Sequence, residues 1–146
     1  MTQTREKTVF AEVTVKLPVT LDRVLCLLCS ALEGGSNYWY MIEDYEFPDG
    51  VKYADFKEGG KYQIPDDYWH PAQLIPTHPG CSVIFTDNER DDGEKFRLNR
   101  EALVKGLEVM ATKYPRHWTD FMQENDDAET GDVYLQCCLF GEAIYG

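Results

Sequence analysis

The first regular pattern in the chain is an alternation of apolar and polar positions over residues 8–17. The apolar positions form one row, and the polar positions Thr8, Glu12, Thr14 and Lys16 lie between them; the apolar row is Val9, Ala11, Val13, Val15 and Leu17. A period of two predicts a β-strand with one buried face. We therefore expect this segment to pair with other strands in a sheet.

A helical pattern follows directly after Pro18. Apolar residues recur three and four positions apart from Leu21 to Leu32, and Thr20 precedes them as a candidate N-cap. The pattern predicts a helix over residues 20–33 that ends in a left-handed cap at Gly34-Gly35.

Residues 36–79 are rich in proline and in aromatic side chains. Five of the seven prolines lie here, which makes long regular elements improbable, although short strands around 39–46 and 51–56 fit the pattern. The segment also holds ten of the nineteen aromatic residues: Tyr38, Trp39, Tyr40, Tyr45, Phe47, Tyr53, Phe56, Tyr62, Tyr68 and Trp69. So much ring area predicts a structured insertion rather than a linker.

The second half of the chain predicts a hairpin and then helices. Short β-type runs at 81–86 and 95–98 flank a polar turn, and Asn99 is the predicted N-cap of a helix whose apolar stripe ends at Pro115. Pro115 can open another short helix, and residues 133–140 are apolar on most sides, which indicates a largely buried C-terminal helix. Taken together, the elements predict one α+β domain over residues 1–146, with a small, mainly antiparallel sheet covered by three or four helices.

The chain is strongly acidic. Its 26 Asp and Glu residues exceed its 14 Lys and Arg residues by twelve, and residues 117–146 hold seven acids and no Lys or Arg. Direct binding to nucleic acid is disfavoured, because it depends on basic residues that neutralise phosphates. The longest apolar run, residues 24–29, is too short to cross a bilayer, and the five cysteines are typical of reduced thiols, so we expect a cytoplasmic protein without membrane contact.

The usual catalytic and cofactor motifs are missing from the sequence. Cys26 and Cys29 have the spacing of half a zinc site, but no second pair follows, and core packing is the better interpretation. The acidic loop at 87–94 departs from the calcium-binding pattern, and there is no serine-hydrolase, Rossmann or P-loop motif. We expect no cofactor and no metal. An enzyme that uses His70, His117 or Cys81 is the least supported hypothesis.

One candidate site follows the first helix, where glycines, small polar residues and rings occur together. It could hold a planar ligand such as a signal nucleotide, with Arg97, Arg100 or Arg116 contacting phosphate. Its candidate residues are Gly34, Gly35, Ser36, Asn37, Tyr38 and Trp39, with Trp69 and His70 closing the pocket. In the alternative interpretation, the glycines cap the helix and the rings fill the core.

The acidic C-terminal part suggests a different site. Carboxylates gathered on one face would imitate the negative surface of a nucleic acid and bind a basic groove. The candidate contacts are Asp120, Glu124, Asp126, Asp127, Glu129 and Asp132. The alternative is that these acids serve solubility and helix capping.

Three blocks of the sequence carry a resemblance. LEGGSNYWY after the first helix, KYPRHW before the third, and NDDAETGDVYLQCCLFGEAIYG resemble a family of small proteins encoded by bacteriophages, prophages and other mobile elements. The resemblance implies an origin on a mobile element in a bacterial host cell, and it carries over no activity, cofactor or catalytic residue. Proteins of this kind often act on host defences.

Two functional hypotheses follow. The first is a non-enzymatic, phage-type inhibitor of a host defence system that binds a basic host protein or nucleoprotein complex through its acidic surface. The second is a small-ligand binding module, or nucleotide sponge, that uses the Gly-Gly-Ser-Asn-Tyr-Trp segment. The aromatic insertion could also bury itself in a homodimer.

Overall fold

The computed structural model describes residues 7–62 and 70–146. In that part of the chain, four α-helices and three β-strands surround one hydrophobic core. The helices are α1 (Leu21–Ser30), α2 (Arg100–Lys113), α3 (Pro115–Met122) and α4 (Ala128–Phe140), and the strands are β1 (Tyr40–Glu46), β2 (Ser82–Asp87) and β3 (Lys95–Leu98). The predicted α+β class, with a small antiparallel sheet covered by helices, is confirmed.

The sheet has the order β1-β2-β3, and both pairs of neighbouring strands are antiparallel. Phe85 of β2 lies opposite Ile42 of β1 and Phe96 of β3, and this row faces the core. The predicted hairpin at 81–86 and 95–98 is confirmed. The predicted strand around 39–46 is confirmed as β1.

Helix α4 lies at the centre of the fold, and its residues from Thr130 to Cys138 are buried. Two glycines let neighbouring helices approach its backbone. A Cβ added at Gly131 would lie 2.8 Å from the backbone nitrogen of Ala31, and one at Gly106 of α2 would overlap the Sγ of Cys138. The predicted buried C-terminal helix is therefore confirmed, and it begins earlier than residue 133.

The helix starts follow local capping rules. Thr20 accepts from the Arg23 amide, Asn99 accepts from the Ala102 amide at 2.9 Å, and Asp127 accepts from the Thr130 amide at 3.0 Å. The end of α1 differs from the prediction. Neither Gly34 nor Gly35 adopts a positive φ; the chain instead makes one wider helical turn over Ala31–Gly35, where a side chain on Gly35 would overlap the carbonyl oxygen of Ala128.

Aromatic residues of the 36–79 segment fill one end of the core. Phe56 is fully buried, and its ring lies between those of Phe47 and Tyr62, with centroid distances of 6.0 and 5.0 Å. The predicted strand at 51–56 is wrong, because a single 3-10 turn, Tyr53–Phe56, stands there. Trp69 lies outside the described residues.

The strand predicted over residues 8–17 is also wrong. These residues have no regular structure, and their apolar side chains are exposed: 82% for Val13, 64% for Val15 and 48% for Leu17. Alternation is necessary for a half-buried strand, but a strand also needs a neighbour, and β1–β3 do not pair with this segment. Among the described residues, no helix is long and apolar enough to cross a membrane.

Candidate functional site

Asp132, a candidate of the acidic site, is a buried carboxylate that is hydrogen-bonded to residues of the candidate ligand site. It lies in the first part of α4 and is only 5% exposed. Its Oδ1 accepts hydrogen bonds from the hydroxyl of Ser36 and from Nε1 of Trp39, and its Oδ2 accepts one from the hydroxyl of Tyr38, each at 2.7 Å. Three donors thus satisfy a buried charge without a neighbouring Lys or Arg within ion-pair distance among the described residues.

This arrangement corrects two expectations. Asp132 cannot be an exposed contact for a protein partner, because its oxygens face the interior and are used there. Ser36 and Trp39 are fully buried, so they do not line an open ligand pocket. The Trp39 ring packs against Phe140 and Tyr145, with centroid distances of 5.1 and 6.0 Å. The alternative interpretation, in which the rings fill the core, holds for Trp39 but not for Tyr38, which is 48% exposed.

The other members of the predicted ligand site are spread out. Gly34 and Asn37 are exposed, Gly35 is half-buried against α4, and Tyr38 is 48% exposed beside Tyr145. His70 uses its Nδ1 to accept a hydrogen bond from the Ala72 amide, and burial lowers the pKa of its imidazole. The structure does not bring these groups together around one cavity that it describes.

The predicted acidic contacts are partly neutralised by one arginine. The guanidinium of Arg23, on α1, lies 2.7 Å from Oδ1 of Asp126 and donates to the carbonyl oxygen of Phe121 at 2.6 Å. Its Nε is 4.0 Å from Glu124. In the described part of the chain, Arg23 is the only Lys or Arg within this distance of the candidate acids. Asp126 is therefore largely a structural residue.

Three exposed acids remain where α3 turns into α4, and we call Glu124, Asp127 and Glu129 the acidic turn. The side chains of Glu124 and Glu129 are 75% and 73% exposed. Asp127 is exposed too, and its hydrogen bonds from Thr130 lower the pKa of its carboxyl group. His117 lies beside the turn, with Nε2 3.9 Å from Glu129 and Nδ1 3.1 Å from the Thr130 hydroxyl. Asp120 is half-buried on α3.

The buried thiols of the described residues have structural surroundings. Burial raises the pKa of the Cys81 thiol, and it raises that of Cys137 to about 12, so both thiols stay protonated at neutral pH. Cys26 is exposed and Cys29 half-buried, so the prediction of core packing is wrong for Cys26. No group of three His, Cys, Asp or Glu side chains in residues 7–62 and 70–146 could hold a metal ion.

Sequence reasoning missed a second buried carboxylate, Asp87, at the end of β2. Its side chain accepts hydrogen bonds from the Tyr145 hydroxyl at 2.5 Å, from the Glu89 amide at 2.9 Å and from Nε of Arg90 at 3.2 Å. Gln136 of α4 completes the attachment of the C-terminal segment, because its Oε1 accepts from the amides of Ile144 and Tyr145. The signal in the sequence was an aspartate that ends an otherwise apolar strand.

Comparisons with known proteins do not assign this arrangement to a family. The chain matches no protein-family description, no curated protein and no solved structure. The resemblance to mobile-element proteins therefore stays a prediction, and the function is inferred from the residues themselves.

Proposed function

We propose that this protein is a non-enzymatic, phage-type inhibitor that binds a basic host protein or nucleoprotein complex of a defence system. The contact is the acidic turn, Glu124, Asp127 and Glu129. The observation that carries the proposal is that these three exposed carboxylates lie within six residues, while one guanidinium, that of Arg23, is the only Lys or Arg paired with this region among the described residues.

The electrostatics of the turn support this function. The whole chain carries a formal charge of −12, and Arg23 pairs closely with Asp126 but lies 4.0 Å from Glu124, while no Lys or Arg among the described residues pairs with Asp127 or Glu129. Exposed charges of one sign attract a partner of the opposite sign and accelerate its association. The hydrogen bonds from Thr130 keep Asp127 ionised well below neutral pH. Asp127 therefore contributes a negative charge to the turn at neutral pH.

The backbone of Glu124 gives a second reason. Its φ is +59°, and in the described chain it is the only residue other than glycine with a positive φ. A residue with a side chain costs about 1 kcal/mol in this left-handed region relative to glycine. Among residues 7–62 and 70–146, the exposed carboxylate finds no hydrogen-bond partner that would offset this cost; its contact with Arg23, at 4.0 Å, is weak. Strain at an exposed position supports a functional reason for the side chain.

The remaining chemistry supports binding over catalysis. The thiols of Cys81 and Cys137 are protonated, and the Nδ1 atoms of His70 and His78 are hydrogen-bonded to backbone groups. Thr77 and His78 both line one cleft, but the Thr77 hydroxyl donates to the Leu74 carbonyl oxygen at 2.6 Å, and Nδ1 of His78 lies 2.9 Å from the same oxygen, so the two side chains are not arranged as a nucleophile and its base. The nucleotide-binding alternative is weakened, because two of its candidate contacts, Ser36 and Trp39, are buried in the interior.

The test uses two charge-matched triple variants in bacteria that carry different CRISPR or restriction systems. The first variant, Glu124→Gln, Asp127→Asn and Glu129→Gln, neutralises the acidic turn with isosteres. The control, Glu43→Gln, Glu89→Gln and Asp91→Asn, removes the same charge from exposed positions elsewhere. The readout is the plating efficiency of a phage that the defence system normally restricts.

We expect the wild-type protein and the control to restore plating, and the acidic-turn variant to lose at least tenfold of that effect. Equal activity of both variants would contradict the proposed contact. No protection in any strain, together with thermal stabilisation of the pure protein by a cyclic or linear nucleotide, would instead support the ligand-binding alternative.

A further inference from the structure

The segment 8–17 has the sequence of a strand but pairs with no strand in the described part of its own chain. Six of the eleven large apolar side chains that are most exposed in the described structure lie between Val9 and Leu21, and Phe10 is completely exposed. No backbone hydrogen bond described for residues 7–62 and 70–146 involves residues 8–19. An extended apolar segment with free N–H and C=O groups is a template for pairing with another chain.

We propose that this protein forms a symmetric dimer in which the two 8–19 segments pair as antiparallel strands, with Thr14 opposite Thr14 of the second copy. The proposal does not depend on the acidic turn, which lies on other residues. The occupant is a second copy because the segment is complementary to itself in one particular register.

That register follows from the charges. A two-fold axis at Thr14 puts Glu12 opposite Lys16 on both sides of the axis, so that each copy contributes one acid and one base to two cross-strand pairs. Centring the pair on Glu12 or on Lys16 would place like charges opposite each other. Centring the pair on Val13 or Val15 keeps the apolar row against itself but places Glu12 opposite Thr14 or Pro18, so neither register forms the two opposite-charge pairs.

Proline fits the same register. In this register Pro18 lies opposite Phe10. Hydrogen-bonded and non-hydrogen-bonded pairs alternate along an antiparallel ladder, so residues an even number of positions apart belong to the same kind of pair. Pro18 is therefore in the same kind of pair as Thr14 and Glu12. If these are the non-hydrogen-bonded pairs, the absent N–H of Pro18 removes no ladder bond. The hydrogen-bonded pairs are then Val13 with Val15 and Ala11 with Leu17, all on the apolar row.

The apolar row also has a surface to cover. Val13, Val15, Leu17 and Val19 line one side of a cleft of about 570 Å³ whose other side includes Val104 and Leu107 of α2. Val104 is 51% exposed, and Val13 is 82% exposed, so the segment does not close over α2 in a single chain. A second strand beside the first would widen the ribbon and bury this row against the α2 helices.

The test measures the oligomeric state of the full chain by sedimentation equilibrium, with a charge-swap series. Glu12→Lys and Lys16→Glu each place like charges opposite each other at two positions in the dimer, and each should raise the dimer dissociation constant about tenfold or more. The double variant, Glu12→Lys with Lys16→Glu, restores opposite charges and should return the constant to near its wild-type value. Both residues are exposed, so we expect the variants to keep the fold, and a thermal unfolding curve checks this.

A cross-linking experiment tests the register independently. Opposed Cα atoms in a non-hydrogen-bonded pair are about 4.5 Å apart, which suits a disulfide, so Thr14→Cys should give a covalent dimer under mild oxidation. In Thr8→Cys, the two introduced thiols would lie roughly 40 Å apart along the ribbon. This variant should therefore cross-link no faster than the wild-type protein, which already has the exposed thiol of Cys26.

A wild-type chain that stays monomeric at millimolar concentration would overturn the proposal. A dimer that ignores the charge-swap series, or in which Thr8→Cys cross-links as fast as Thr14→Cys, would overturn it as well, because its interface would lie elsewhere.

Discussion

The indole nitrogen of Trp39 donates a 2.7 Å hydrogen bond to Oδ1 of Asp132, a residue 93 positions later in the chain. This bond joins the turn after α1 to the first part of α4. Ser36 and Tyr38 donate to the same carboxylate, so a short stretch of chain supplies all three donors. The Gly-Gly-Ser-Asn-Tyr-Trp segment is therefore primarily a support for the buried helix α4.

Replacing Asp132 by asparagine tests this support. The amide NH2 of the substitute replaces one of the two acceptor oxygens, so either Tyr38, which donates to Oδ2, or Ser36 and Trp39, which share Oδ1, would lose their acceptor. We expect Asp132→Asn to lower the free energy of unfolding by about 2 kcal/mol, measured in urea. Glu129→Gln, an exposed change on the same helix, should stay within about 0.5 kcal/mol. Equal stability of Asp132→Asn and wild type would contradict the role of this carboxylate.

The contrast between Asn99 and Asp132 explains what the sequence could predict. Asn99 caps α2 through an amide three residues away, so its role is encoded locally and was predicted. Asp132 depends on donors more than ninety residues away, and no local pattern connects them. The sequence did contain a usable signal. Asp132 lies in a helix that is apolar on most sides, and residues 117–146 lack Lys and Arg. A buried acid in that position needs hydrogen-bond donors from elsewhere in the chain.

For segment 8–17, a clear local pattern gives a wrong prediction. The alternation predicts a strand, but a strand requires a neighbour that the three strands of the described sheet do not provide. The acidic turn was predicted in part: Glu124, Asp127 and Glu129 are exposed as expected, while Asp126 and Asp132 are engaged by groups from distant parts of the chain.

Gly131 should be intolerant of any side chain. A Cβ there would lie 2.8 Å from the Ala31 nitrogen and 2.9 Å from the Leu27 carbonyl oxygen, both of them backbone atoms that cannot move independently. We expect Gly131→Ala to destabilise the protein by about 2 kcal/mol, because α1 and α4 must separate. Gly34→Ala is the matched control, since nothing lies within 4 Å of the added carbon. Thermal and urea unfolding of the two variants compare them, and similar stabilities would refute the close packing of α1 on α4.

Glu124→Gly should stabilise the isolated protein. Glycine adopts the left-handed backbone of this position without steric cost, so we expect a gain of about 1 kcal/mol in the free energy of unfolding. Glu124→Ala keeps a Cβ at the same φ and should give no such gain. The same glycine variant should lose inhibitory activity in the plating assay. A destabilised glycine variant would show that the carboxylate contributes to the fold instead.

Asp127 should make stability depend on acid pH. Hydrogen bonds from Thr130 lower the pKa of its carboxyl group in the folded state, so its contribution is complete above the unfolded pKa of about 4 and is lost as the pH falls through the lower folded value. Asp127→Asn keeps the capping acceptor and should cost about 0.5 kcal/mol at pH 7.

The difference between wild type and Asp127→Asn should therefore shrink below about pH 4, when the wild-type carboxyl group takes up its proton. Asp127→Ala removes the cap itself and should cost about 1 kcal/mol at pH 7. Urea unfolding between pH 2.5 and pH 7 measures all three proteins. A constant gap between wild type and the asparagine variant over this range would contradict the charged cap.

The most direct test of the proposed function is the salt dependence of affinity for the target identified in the plating screen. We predict that the wild-type affinity falls about tenfold or more between low and high ionic strength, because the Glu124, Asp127 and Glu129 carboxylates are screened, and that the acidic-turn triple variant binds weakly at both. A wild-type affinity that is the same at both salt concentrations, or a triple variant that binds as tightly as wild type, would contradict the account.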